Sequence, residues 1–82
     1  MPTTKEDIRQ WLKDAPKHAT HMIVVCDTYD WDDYPVYVNQ YQNVHEVVSS
    51  KDGVNMAKVM EVYNLSMDIE KQLANVGHVM NY

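Results

Sequence analysis

Apolar positions mark out the chain from its first turn. Ile8, Trp11, Leu12 and Ala15 recur at i, i+3, i+4 and i+7, the stripe of an amphipathic helix. Thr3 with Glu6 has the form of a capping box, and Pro16 stops the helix, which the pattern predicts over 4–14. Lys13 and Lys17 stand near its C-terminal end, where the dipole favours cations. Met22 to Cys26 is an unbroken apolar run rich in β-branched residues, which predicts a strand near 21–28 buried on both faces. Thr28 to Tyr34 reads as a turn region, and Pro35 opens a second strand near 35–39 through Val36-Tyr37-Val38. Together they predict an antiparallel hairpin with a long, acidic, aromatic loop.

Beyond the hairpin the spacing turns helical. Asn43 caps a helix over 44–51 with Glu46 at its third position and Val44, Val47 and Val48 as its stripe, and Gly53 ends it. Asn55 is expected to cap a further helix over 55–63, whose face is Met56, Val59, Met60 and Tyr63. Asn64 and Ser66 mark a break, and Ile69, Leu73 and Val76 carry a last helix over 66–76 toward Gly77, with His78 to Tyr82 expected to fray. The fold class is α+β: one domain over 1–82, a short hairpin-based antiparallel sheet flanked by three to four helices.

Size adds one expectation. A chain of 82 residues buries only about 60–65% of its unfolded surface, so its core is small. Six Tyr, two Trp and no Phe mean that every ring carries a polar tip, which suits interfaces and ligand walls. Small size, tyrosines and the apolar strand favour a homo-oligomer, a tetramer first. No apolar run approaches the roughly 20 residues of a membrane helix. The start MPTTKEDIRQ lacks signal-peptide character, and the single Cys26 forms no internal disulfide, so the expected location is the cytoplasm.

Charge is distributed unevenly. From His18 to Ser50 there is no Lys or Arg, while Asp27, Asp30, Asp32, Asp33 and Glu46 put the whole net charge of −5 in that stretch. Without a basic stripe the chain is a poor candidate for duplex nucleic acid or an anionic membrane.

The candidate chemistry gathers in the loop. Four carboxylates in Asp27-Thr28-Tyr29-Asp30-Trp31-Asp32-Asp33 can cap turns, touch a ligand or hold a cation. An EF-hand would need a glycine at the sixth position and a Glu at the twelfth, which is Val38. A carboxylate also matches the two adjacent donors of a guanine edge, and Tyr29, Trp31, Tyr34 or Tyr37 can stack on the base. Thr28, backbone amides, or Arg9, Lys5 or Lys58 would then meet a phosphate. The ligand-binding candidates are therefore Arg9, Asp27, Thr28, Tyr29, Asp30, Tyr34, Tyr37 and Lys58. No metal or cofactor is expected, and no catalytic residue.

The other motifs are weaker. His18-Ala19-Thr20 matches one half of a two-histidine phosphodiesterase signature, but the second half is missing. His18 and His21 with Asp27 lack further zinc ligands at convincing spacing. Two glycines make neither a P-loop nor a dinucleotide fingerprint. Cys26 reads as a buried thiol, and Met56, Met60 and Met67 as filler of a core or interface.

The block THMIVVCDTYDWDDYPVYV, followed by VMEVYNLSMDIEKQL from Val59 to Leu73, resembles a family of very small phage and prophage proteins, the anti-CBASS nucleotide sponges. The resemblance covers nearly the whole chain, from the Trp11 helix to Leu73. It implies a homotetramer that traps a cyclic dinucleotide such as 3′,3′-cGAMP without cutting it, so that host antiphage immunity is not activated. It carries over no site residues. A small phage protein that inhibits a host protein through the Tyr/Trp loop is the second expectation, and a small hydrolase the third.

Overall fold

The unbroken apolar run becomes the middle of the molecule. β1 (Ala19–Asp27) is the central strand of a three-stranded antiparallel sheet, with β2 (Asp32–Asn39) on one side and β3 (Ala57–Asn64) on the other. The computed structural model describes residues 3–75 and 79–82. Three helices, α1 (Lys5–Lys13), α2 (Val44–Lys51) and α3 (Ile69–Leu73), complete it.

Side chains of a strand alternate between faces, and β1 uses both. Met22 and Val24 join Ile8, Leu12, Tyr63 and Leu73 beneath α1 and α3. Ile23 and Val25 join Val38, Val59 and Val62 beneath the valines of α2, namely Val44, Val47 and Val48. This explains why Met22 to Cys26 needed no polar residue: neither face of the strand meets water. Each such side chain contributes about 1.5–3 kcal/mol by leaving water.

The helix starts follow side-chain chemistry. α1 is capped by Thr4, not Thr3: Thr4 Oγ1 accepts from the Asp7 amide at 3.2 Å, and Asp7 accepts from the Thr4 amide at 3.0 Å. Two overlapping boxes compete here; with Thr4 as the cap, α1 starts at Lys5, whose ammonium donates to the carbonyls of Leu73 and Asn75. Asn43 caps α2 as its sequence predicts, accepting from the His45 and Glu46 amides. Gly53 follows α2 at φ 75°, a left-handed conformation that suits glycine.

The segment predicted as a helix over 55–63 is strand β3. Met60 is unopposed in a bulge, because Val24 faces Glu61 while Val25 faces Val59. The bulge sets Val59 and Val62 on one face three residues apart, and that spacing imitates a helix. A two-stranded hairpin is marginal alone, so the open edge of β1 outweighs the local pattern. Asn55, expected as a helix cap, enters β3 through a left-handed turn with Met56, at φ 51° and 63°.

The C-terminal part differs from expectation too. α3 spans only Ile69–Leu73 and is capped by Asp68, which accepts from the Lys71 amide at 3.1 Å. Asn64 instead folds its side chain over the Ser66 amide and hydroxyl. Val76, Gly77 and His78 lie outside the described residues. The tail expected to fray is docked from Val79 onward: Val79 is buried, its carbonyl accepts from the Val62 amide at 2.6 Å, and the Asn81 amide returns to the Val62 carbonyl at 2.9 Å. The outer edge of β3 has backbone groups to satisfy, and the tail satisfies them through a parallel bridge, Val62 to Met80.

Candidate functional site

At the Asp27 end of the sheet, the β1–β2 turn lies beside the connection from α2 to β3. Asp27 faces Asp32 on one side and Ala57 on the other, so both loops share one tip. Thr28 fastens them: its amide and its hydroxyl both donate to the Met56 carbonyl, each at 2.7 Å. The Trp31 amide donates to the Asp27 carbonyl at 2.6 Å, closing a tight turn with Trp31 at φ 60°.

The turn pushes its rings outward. Tyr29 is 74% exposed and Trp31 71%, with Asp30 between them, also exposed. The Asp27 carboxylate is already engaged, accepting from the Tyr29 amide at 2.8 Å. Asp30 is therefore the carboxylate of this turn most available to an incoming donor. Tyr34, opposite Val25, is 38% exposed and sits further along β2.

Lys58 comes to this end as well. It lies across Cys26 from Asp33, giving a row Asp33–Cys26–Lys58 over the three strands. Burial, then the neighbouring Asp33, pushes the Cys26 thiol above its ordinary value, so it remains a protonated, inert side chain.

The other two candidates stand elsewhere. Arg9 lies on the α1–α3 seam, where its guanidinium grips Glu70 through two bonds, at 3.1 and 2.9 Å, and also meets Glu6. Donating hydrogen bonds to Glu70, then to Glu6, pushes its pKa up, and Arg9 holds the Glu70 carboxyl below its usual range. Tyr37 packs against the α1 face of the sheet, its hydroxyl donating to the Trp11 carbonyl at 2.6 Å, and burial raises its pKa. The tip thus collects Asp27, Thr28, Tyr29, Asp30 and Lys58, with Tyr34 at its margin, and does not collect Arg9 or Tyr37.

Sequence reasoning missed the Met56 carbonyl that anchors the tip, because Asn55 and Met56 read as the start of a helix. His21, weighed in the sequence only as a zinc ligand, lies at the other end of β1: its Nδ1 meets the Thr20 hydroxyl at 2.9 Å while Nε2 is buried without a partner among the described residues. Burial, then the nearby His45, lowers the His21 pKa.

Chemically, the tip offers two exposed π-faces, an open carboxylate and one lysine on a doubly fastened turn. Among the described residues no group of three or more His, Cys, Asp or Glu converges as a metal would require. No described helix is long and apolar enough to cross a membrane. No family model matches the chain, and neither curated proteins nor solved structures give a match.

Proposed function

We propose that this chain binds a cyclic oligonucleotide immune signal, a cyclic dinucleotide such as 3′,3′-cGAMP, and sequesters it without cutting it. The observation that carries the reading is the pair of exposed rings, Tyr29 and Trp31, set on either side of the open Asp30 in a turn fastened by Thr28. Base stacking on such rings is worth about 1–3 kcal/mol each. Asp30 has the acceptors for a guanine edge. The likeness of the two sequence blocks to the phage anti-CBASS sponges supports the same reading.

The phosphates are the demanding part. Lys58 is a cation this chain brings to the tip, and Arg9 is held by two glutamates elsewhere. A homo-oligomer, a tetramer in this reading, lets a neighbouring copy supply further positive charge. Light scattering that returns a single chain mass at micromolar concentration refutes that part.

A thermal-shift screen against cyclic di- and trinucleotides tests the whole. A ligand at 100 times its dissociation constant adds about 2.7 kcal/mol. Intact nucleotide recovered after heat denaturation supports sequestration, and a cleaved product shows an enzyme instead. The four carboxylates in and flanking the turn, Asp27, Asp30, Asp32 and Asp33, favour one second reading, a protein partner with a basic surface. It is supported if no nucleotide shifts the melting curve and a host protein co-purifies through Trp31.

A further inference from the structure

We propose that the cleft between the start of α1, strand β3 and the end of α3 is a separate binding site for a small molecule with a cationic and an anionic end, the chemistry of a free basic amino acid. The cleft encloses about 420 Å3. That lies within the range of about 300–1,000 Å3 usual for small-molecule sites. It shares none of the tip residues, so it stands or falls apart from the nucleotide reading.

The floor is apolar: Ile8, Tyr63 and Leu73 are buried and line it. Glu61 stands on one wall and Lys5 on another, with Asn75 beside it at the rim. Glu61 is there because of the bulge. Strict alternation from Val59 would turn Glu61 toward α2, but the unopposed Met60 resets the register and aims it to the face of Val24 and Tyr63. Bulges commonly re-aim a side chain in this way beside functional sites.

A half-buried carboxylate among apolar side chains needs partners. Among the described residues Glu61 accepts a long contact from the Val79 amide at 3.4 Å and a hydrogen bond from the Tyr63 hydroxyl, which leaves carboxylate lone pairs for a ligand. Burial, then Glu61, raises the Tyr63 pKa, so that hydroxyl keeps its proton and serves as a donor. Across the cleft, the Lys5 ammonium donates to the carbonyls of Leu73 and Asn75. An ammonium has three donors, so one is left for a ligand carboxylate. A guanidinium head pairs with Glu61, bidentate where geometry allows. An aliphatic stem then lies on Ile8 and Leu73.

The experiment is an amide-resolved NMR titration of the full chain with L-arginine, L-citrulline and agmatine. Citrulline replaces the charged head with a neutral one, and agmatine lacks the carboxylate. Arginine is expected to shift the Ile8, Tyr63 and Leu73 amides saturably, and each analogue to bind at least about tenfold more weakly. Glu61→Gln removes the preference for arginine over citrulline, and Lys5→Met removes the preference over agmatine. The amide spectrum and melting curve of each variant report its fold. If a variant fails to fold, the ranking of the three probes on the natural chain still decides. No saturable shift, equal binding of all three, or loss of arginine binding in Trp31→Ala overturns the proposal.

Discussion

The middle of β1 and the tip that follows it are built on opposite terms. From Met22 to Cys26 every side chain is buried, and the backbone is paired on both sides, with a single bulge opposite Val24 and Val25. Within a few residues, Tyr29 and Trp31 stand in solvent. All the left-handed backbone found among the described residues lies at this tip, at Trp31, Gly53, Asn55 and Met56. Such a conformation costs a non-glycine residue about 1–3 kcal/mol and persists only where the surroundings enforce it. The lesson is a division of labour. The buried strand supplies the packing, and the tip it anchors holds its rings out on a left-handed turn.

The sharpest way to break this contrast is to weaken the middle. Ile23→Ala removes a fully buried side chain, at a cost of about 2–5 kcal/mol. Each kcal/mol lowers Tm by roughly 4–8 °C in a domain of this size. A fall of only a few degrees on thermal denaturation would show that β1 is not the stabilising element. Trp31→Ala should behave in the reverse manner. Its melting curve without ligand stays near that of the natural chain, while affinity for a cyclic dinucleotide drops by about 1–3 kcal/mol. Unchanged affinity by calorimetry removes the ring from the site.

The carboxylates divide next. Asp30→Ala should leave the fold intact and weaken guanine-containing cyclic dinucleotides by about tenfold, with the all-adenine analogue hardly affected. Asp27→Ala should cost about 1 kcal/mol of stability, because the Tyr29 amide loses its acceptor. Lys58→Ala should weaken guanine and adenine ligands alike and flatten the salt dependence, since phosphate contacts carry no base information. Equal losses for Asp30→Ala and Lys58→Ala on every ligand would end the base-reading role.

The smallest effect concerns protonation. The folded-state pKa of His21 is lowered from 6.5, so the fold favours its neutral form. This contribution is whole above pH 6.5 and fades as pH falls toward the lowered value. Melting curves between pH 7.5 and 5 should show a modest decline that His21→Gln flattens. An identical decline in the variant assigns it to other groups.

Much of this arrangement is legible in the residues. The capping side chain of Asn43 and the two-faced strand announce themselves through local chemistry that needs no distant partner. The expected long loop over 28–34, by contrast, is a short turn: Asp32 to Tyr34 pair with β1 and extend β2, so Pro35 lies inside the strand instead of opening it. β3 does not announce itself, because its bulge converts a strand's alternation into a three-residue spacing, and only the vacant edge of β1 decides the matter. The site follows the same rule. Asp27, Thr28, Tyr29 and Asp30 are neighbours in sequence and stay neighbours in space. Lys58 reaches them only through the pairing of β3, and Arg9 is drawn away by Glu70, a residue on a helix remote in sequence.

Pro35 sits midway along β2, the outer strand beyond β1, and has no amide hydrogen to offer a new neighbour. On the far side the tail around Met80 already occupies the edge of β3. Strand-to-strand growth is therefore discouraged on both flanks, which limits templated aggregation. Under the sequestration proposed above, capacity would follow copy number rather than turnover, and flanks blunted in this way would favour the accumulation of many copies.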